Sequence, residues 1–226
     1  MSVPRDARPG RDARLGRGAR LGAQPLERHR ETPSQTAGPY VHIGCTPNAA
    51  GIEGVFETDL GAGALYAPDA KGERIAVAGR VLDGGGAALT DALVEIWQAD
   101  AAGLFPGAPS PRGAPDPAFR GFGRCATDAR TGEYRFETLR PGRVPYPDGR
   151  WQAPHLTFWI VARGINVGLH TRMYFADETE ANAADPLLNR VEHVERRQTL
   201  IAAFEGGVHR FDIRLQGERE TVFLDI

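Results

Sequence analysis

Side chains that could do chemistry are concentrated between Trp151 and Phe175. This stretch holds two of the six histidines of the chain and two arginines. Imidazoles bind metals and move protons, and guanidinium groups bind anions through paired hydrogen bonds. With a tyrosine and a phenylalanine that precede them, the candidates are His155, Thr157, Arg163, His170, Arg172, Tyr146 and Phe105.

A β-hairpin is predicted to carry most of these candidates. Apolar and β-branched residues indicate strands over Leu156–Ala162 and Leu169–Phe175, and Gly164 and Asn166 suit a tight turn between them. Alternation along the second strand places His170 and Arg172 on the face opposite Leu169, Thr171 and Met173. We therefore interpret these two side chains as structural or interfacial.

The rest of the pattern predicts an all-β chain. Gly and Pro are frequent, at 28 and 17 residues, which favours many turns between short strands. Long loops are predicted at 51–72, which includes one short strand, and at 101–117. One or two short helices are predicted within 186–204. The further predicted strands are 74–82, 92–98, 122–128, 133–139, 208–215 and 221–226. Some nine or ten strands with one helical excursion indicate a β-sandwich.

The chain before this body has two parts. Residues 1–30 are arginine-rich, with a net charge of +5, and are predicted to be a disordered tail. Residues 31–226 are predicted to form a single domain. Within it, Pro33 and Pro39 predict an extended segment over Glu31–Gly44. His42 lies in an apolar run there and is interpreted as a hydrogen-bonded structural residue.

Composition excludes several classes of function. The body beyond the tail has a net charge of -7, which argues against a nucleic-acid partner. No run approaches the roughly 20 apolar residues of a membrane span, so a cytoplasmic protein is expected. Cys45 and Cys125 are too few for a disulfide framework and are interpreted as reduced packing residues.

Six stretches, taken in order, resemble the intradiol ring-cleavage dioxygenases. They are Gln35–Gly44, Glu95–Asp100, Gly123–Cys125, Ala162–Asn166, His170–Arg172 and Arg210–Glu218. The resemblance covers about Glu31 to Ile226 and points to the alpha-type chain of the two-chain members that act on protocatechuate. It implies a β-sandwich of the intradiol dioxygenase type.

The resemblance also implies a homologous beta subunit that binds Fe(3+) with two tyrosines and two histidines. At the matching positions this chain has Phe105, Tyr146, His155 and Thr157. Phenylalanine has no oxygen, threonine is a poor ligand for ferric iron, and Tyr146 is out of register. We therefore expect no metal site and no catalytic residue in this chain, and a structural role for His155.

What an alpha-type chain contributes, by the same resemblance, is part of the substrate pocket of the neighbouring beta chain. The positions carried over are Arg163, Tyr40, Thr36, Gly38 and Pro39. A guanidinium suits the carboxylate of protocatechuate, which would be cleaved with dioxygen to 3-carboxy-cis,cis-muconate in aromatic catabolism. The other reading of Arg163 is a structural salt bridge within the hairpin.

Two other functions stay open at this point. A self-sufficient dioxygenase acting on catechol or hydroxyquinol needs all four ligands in one chain, and Phe105 and Thr157 speak against it. A non-enzymatic β-sandwich binding module is possible on fold alone. A generic sandwich, however, has no reason to carry the segment from Gln35 to Tyr40.

Overall fold

The computed structural model describes residues 36–107 and 110–225. The predicted tail at 1–30 lies outside these residues. Within the described residues there are two α-helices, two 3-10 turns and eleven strands. The helices are α1 (Pro39–Cys45) and α2 (Thr179–Ala184), and the 3-10 turns are Leu188–Arg190 and Val194–Leu200. The strands are β1 (Arg74–Leu82), β2 (Leu93–Trp97), β3 (Phe122–Ala126), β4 (Glu133–Leu139), β5 (Val144–Pro145), β6 (Trp151–Gln152), β7 (His155–Val161), β8 (Leu169–Phe175), β9 (Ile201–Glu205), β10 (Val208–Arg210) and β11 (Ile213–Arg214).

Nine of these strands form one sheet that folds into two layers. Its order is β11-β1-β10-β9-β8-β7-β2-β3, and β4 pairs with the other edge of β1. β9 joins the layers, because Ile201 and Ala202 pair with β8 while Ala203–Glu205 pair with β10. The predicted all-β sandwich with a short helical excursion and long loops is confirmed.

The core lies between the two layers. Phe158 of β7 is fully buried, and its ring centroid lies 5.8 Å from that of Tyr134, 6.4 Å from that of Phe136 and 5.3 Å from that of Phe211. Tyr134 and Phe136 belong to β4, so these contacts hold the layers together. Burying one such ring contributes about 1.5–3 kcal/mol. The residues that alternate with Phe158 along β7, such as Thr157 and Trp159, therefore lie on the outer face of the sheet.

A second, smaller apolar cluster covers that outer face near the helical excursion. It contains Ala153, Tyr174, Ala181, Leu188 and Leu200. The fully buried Asp185 fixes this region, since its carboxylate accepts hydrogen bonds from the backbone N–H of Ala153 (2.7 Å) and Leu188 (2.7 Å). The excursion is thereby anchored beside the start of β7.

Several predicted boundaries need correction. The segment from Pro39 to Cys45 is helical rather than extended, because proline is tolerated in the first turn of a helix, where no N–H donor is required. The predicted strand at 208–215 is divided into β10 and β11. Residues 221–225 form no strand, and strand β9 occupies 201–205, the end of the predicted helical region.

Two further findings complete the fold. Cys45 and Cys125 are free thiols, and burial raises the pKa of Cys125 to about 12. No helix among residues 36–107 and 110–225 is long and apolar enough to cross a membrane.

Candidate functional site

The N-terminal segment is fastened to the β7–β8 turn. The Oγ1 of Thr36 accepts a hydrogen bond from the backbone N–H of Gly164 (2.6 Å) and lies 3.4 Å from the carbonyl oxygen of Ala162. Gly164 has a φ of 88°, a left-handed conformation that glycine adopts without strain. The residue between these two contacts is Arg163. The chain thus brings together two stretches that are more than 120 residues apart.

A cavity of about 490 Å³ opens beside this junction. Its walls are mostly small and apolar, and Asp91, His42 and Arg163 are its ionisable side chains. Gly38 lies in the wall, and Pro39 is the first residue of α1, which contributes His42 and Ile43 to the cavity. The cavity thus combines small apolar walls with one arginine and one aspartate at its surface.

Arg163 forms an ion pair at the rim of this cavity. Its Nη2 lies 2.7 Å from Oδ2 of Asp91, and its side chain is 77% exposed. Asp91 precedes β2, so the salt bridge that was considered within the hairpin is instead made to another element. An ion pair so exposed contributes little to stability, at most about 1 kcal/mol. The guanidinium therefore remains available for a second carboxylate.

His42 fixes the other side of Asp91. Its Nε2 lies 2.9 Å from the carbonyl oxygen of Asp91, and its Nδ1 lies 3.3 Å from Oγ1 of Thr46. The prediction of a hydrogen-bonded structural histidine is confirmed. The Tyr40 side chain is 83% exposed, so its hydroxyl is accessible to a partner or a ligand.

The cavity contains residues that the sequence gave no reason to select. Asp91 and Thr90 lie in a short turn before β2, and Ala49, Ala50 and Ile52 come from the turn after α1. None of them belongs to a motif with a chemical spacing. Only the pairing of β2 with β7 brings Asp91 within reach of Arg163.

None of the four positions that the resemblance matches to iron ligands lines this cavity. His155 is 5% exposed, and its Nδ1 lies 2.8 Å from the carbonyl oxygen of Ala153. Thr157 lies across from Trp97 on one side and from Arg172 on the other. Phe105 stacks on Trp97, with ring centroids 6.2 Å apart and planes at 8°.

The fourth position, Tyr146, is engaged by arginines. Its hydroxyl accepts a hydrogen bond from Nη1 of Arg190 (3.2 Å), and the Arg150 guanidinium lies 6.0 Å from its ring centroid. A cation that donates a hydrogen bond to a phenol oxygen competes with a metal for that oxygen. Tyr146 is thus occupied by protein contacts.

These residues do not fit an iron ion. Phe105 supplies no donor atom and Thr157 only a neutral hydroxyl, so two of the four positions offer no ligand suited to ferric iron. Burial first, and then the nearby Arg172 cation, lower the pKa of His155 to about 3, which keeps the imidazole neutral. Among the residues that the structure describes, no three His, Cys, Asp or Glu side chains form a group that could hold a metal.

The alternation predicted for β8 is observed. Thr171 and Met173 are buried in the sandwich, while His170 and Arg172 are half-buried on the opposite face. Arg172 donates from Nη1 to Oε1 of Gln152 (2.7 Å). These contacts agree with a structural position for Arg172.

Comparison with known proteins places the chain in a family. A family model described as Dioxygenase matches residues 57–217. The protocatechuate 3,4-dioxygenase alpha chain of Pseudomonas putida is 47% identical over 205 residues, which is 89% of this chain and 99% of that protein. The alpha chain of Burkholderia cepacia is 41% identical over 204 residues, 87% of this chain and 98% of that one.

A beta chain and a solved structure are also similar. The protocatechuate 3,4-dioxygenase beta chain of Burkholderia cepacia is 38% identical over 178 residues, 74% of this chain and 75% of that one. The crystal structure of catechol 1,2-dioxygenase from Pseudomonas arvilla C-1 has a TM-score of 0.50 at 24% identity and covers 70% of this chain and 56% of its own, so it supports the fold alone. The chain belongs to the intradiol ring-cleavage dioxygenase family, together with the protocatechuate 3,4-dioxygenase alpha chains.

Proposed function

We propose that this chain is the alpha subunit of a protocatechuate 3,4-dioxygenase and acts with a homologous beta subunit that holds the ferric iron. The observation that carries the proposal is the 47% identity to an alpha chain over 99% of that chain's length. The missing donors at Phe105 and Thr157 support the assignment of the iron to the partner. The assembled enzyme would open protocatechuate between its two hydroxyls, with dioxygen, to 3-carboxy-cis,cis-muconate.

The role of this chain is to help bind and orient the substrate. Protocatechuate carries a carboxylate, and Arg163 presents an exposed guanidinium at the rim of a cavity with small apolar walls. A guanidinium binds a carboxylate through two parallel hydrogen bonds, which fixes the direction of the ring as well as its charge. Arg163 is therefore the residue proposed to recognise the carboxylate.

The other substrate-binding candidates act around Arg163. Thr36 holds the N-terminal segment to Gly164 and so keeps that segment beside the guanidinium. Gly38 and Pro39 turn the chain into α1, and the exposed Tyr40 would offer a hydroxyl to the substrate or to the beta subunit. These roles are proposals, as is a cytoplasmic location for the enzyme.

Two other functions are less well supported. A self-sufficient intradiol dioxygenase needs metal donors at positions that here hold Phe105 and Thr157. A non-enzymatic binding module does not explain the similarity to alpha chains along nearly their full length. Neither alternative accounts for the fastening of the N-terminal segment to the Arg163 turn.

Expression of the chain alone and together with a beta-type chain tests the proposal. We expect iron, visible tyrosinate-to-iron absorption and ring cleavage of protocatechuate only in the co-expressed sample, where both chains elute together. Iron content by elemental analysis and oxygen uptake measure these properties. If the chain alone is coloured and active, Tyr146 and His155 bind iron and the subunit assignment is wrong.

A further inference from the structure

We propose that Asp91 is a positioning residue for substrate binding, which holds the Arg163 guanidinium at the rim of the cavity before protocatechuate arrives. This role rests on the proposed function, in which Arg163 recognises the substrate carboxylate. Asp91 would not bind the substrate itself and would act only through Arg163. The ion pair between the two residues, the fixed backbone at Asp91 and the exposure of both side chains support this role.

The Arg163 side chain has little else to fix it. It is 77% exposed and lies in the turn between β7 and β8, next to Gly164. Among the residues that the structure describes, Asp91 is the only acidic side chain within ion-pair distance of it, with 2.7 Å between Nη2 and Oδ2. A long side chain in water samples many rotamers, and a ligand that binds it must overcome the loss of that freedom. A partner that already holds one edge of the guanidinium reduces this loss.

The backbone at Asp91 is held on two sides. Its carbonyl oxygen lies 2.9 Å from Nε2 of His42, and because a carbonyl only accepts, Nε2 carries the hydrogen. The next residue, Ala92, is fully buried and donates its N–H to Oγ1 of Thr127 (3.0 Å). The carbonyl oxygen of Ala92 accepts from the N–H of Thr127 (2.8 Å). The Asp91 carboxylate therefore extends from a fixed point of the fold, which suits it to orient a mobile side chain.

The Asp91 carboxylate is better placed to affect binding than folding. Its side chain is 34% exposed and lines the cavity together with Arg163. An ion pair of this exposure contributes little to stability. A guanidinium has five N–H donors, so a contact at Nη2 leaves other donors for a second carboxylate. Loss of the Asp91 carboxylate should accordingly change substrate affinity more than the stability of the chain.

A double-mutant cycle in the co-expressed enzyme tests this role. Asp91→Ala is expected to raise the Michaelis constant for protocatechuate about threefold to fivefold with little change in kcat, because an exposed ion pair can bias the guanidinium only by about this factor. Asp91→Asn keeps an oxygen at the same position and should raise the constant less. In the Arg163→Ala background, Asp91→Ala should have no further effect. Steady-state oxygen uptake measures the constants.

Two controls separate positioning from a general disturbance of the site. The neutral analogue 3,4-dihydroxybenzamide has the same ring without a carboxylate, so its inhibition constant should be equal in the unmodified and Asp91→Ala enzymes. Asp148→Ala breaks another Asp–Arg pair with 2.7 Å between Oδ2 and Nη2, to Arg150 outside the cavity, and should leave the Michaelis constant unchanged. Iron content and co-elution of the two chains should match those of the unmodified enzyme in every variant.

Three results would overturn the positioning role. If Arg163→Ala raises the Michaelis constant but Asp91→Ala leaves it unchanged or lowers it, Asp91 does not assist Arg163, and the proposed function stands. If Asp91→Ala has the same effect with and without Arg163, the carboxylate acts by another route. If Arg163→Ala itself leaves the constant unchanged, the substrate role of Arg163 fails and the role of Asp91 fails with it.

Discussion

In the proposed function, the Arg163 guanidinium can pair with two carboxylates, that of Asp91 and that of the substrate. Its ion pair with Asp91 at 2.7 Å orients the guanidinium along the cavity rim, and the 77% exposure of the side chain keeps that pair weak. A bound substrate carboxylate, shielded from water by the partner chain, would interact more strongly. In the proposed role, the ion pair would pre-position the Arg163 guanidinium at small cost in free energy.

Arg163→Ala is expected to raise the Michaelis constant for protocatechuate in the co-expressed enzyme by roughly ten- to a hundredfold. A hydrogen bond to a charged group contributes about 1.5–3 kcal/mol, and each 1.4 kcal/mol corresponds to a factor of ten. Arg163→Lys should give a smaller increase, because an ammonium cannot make the two parallel bonds. Steady-state oxygen uptake measures the constant.

The matched control for Arg163→Ala is Arg135→Ala, which removes an exposed arginine from β4. Iron content and co-elution of the two chains should match those of the unmodified enzyme in both variants. An unchanged Michaelis constant for Arg163→Ala, or a complex that falls apart, would contradict the substrate role.

At the residue scale, the sequence allowed some roles to be predicted and not others. His42 was interpreted as hydrogen-bonded because an apolar run can hold an imidazole only if its nitrogens find partners, and they do. Asp91 could not be selected, since its importance depends on strand pairing between residues far apart in the chain. Arg172 was predicted on the correct face, but its neutral partner Gln152 lies on another element.

At the scale of elements, alternation was a reliable guide and proline was not. β1, β4 and β8 have the predicted bounds, and β7 is shifted by one residue. Their apolar residues recur at every second position. Only a strand places such residues on one face, where they can pack into the core. The helix α1 is not predicted from the sequence because it begins at Pro39. Proline has no N–H, but the N–H of the first helical residue makes no hydrogen bond within the helix, so proline is tolerated there.

Gly79 in β1 marks the place where the strand's neighbours change. A Cβ at this residue would lie 1.9 Å from the carbonyl oxygen of Phe211 and 2.9 Å from the hydroxyl of Tyr134. The same hydroxyl donates a hydrogen bond to that carbonyl. Only a residue without a side chain lets β4 and the β10–β11 connection approach β1 together.

Gly79→Ala is accordingly expected to lower the free energy of unfolding by about 3 kcal/mol or more, since neither neighbour can move without breaking sheet pairing. Urea unfolding followed by fluorescence measures the change. Gly44→Ala is the control, because a Cβ there meets nothing within 4 Å. If the urea midpoint of Gly79→Ala equals that of the unmodified chain, β1 and Phe211 can move apart without loss of stability, which would contradict the prediction.

At the scale of the whole molecule, the class of fold was predictable and the strand order was not. Short alternating strands with many turns indicate a sandwich, because such strands can bury only one face. The parallel pairing of β1 with β10, and of β8 with β9, joins strands distant in sequence. The folding of one continuous sheet over itself through β9 depends on those contacts.

The segment from residue 40 to residue 60 is unusually apolar for a surface. Its exposed large apolar side chains are Tyr40, Ile43, Ile52, Val55, Phe56 and Leu60. It carries Glu53, Glu57 and Asp59 but no lysine or arginine. Ile43 and Ile52 also line the Arg163 cavity. In the proposed function, this cavity faces the beta subunit. The same segment is therefore expected to be covered by that subunit.

Phe56→Asp with Leu60→Asp should reduce the amount of beta-type chain that co-purifies with this chain by about tenfold or more. Both side chains are at least half exposed, at 50% and 65%, so the fold should tolerate the charges. Burial of two new carboxylates in the contact with the partner would carry a large free-energy penalty. In the free chain the same carboxylates stay in water, so the penalty there is small. Val194→Asp, at another exposed apolar position, should leave co-purification unchanged. Equal recovery of the partner with both sets of variants would place the contact on a different face of the sandwich.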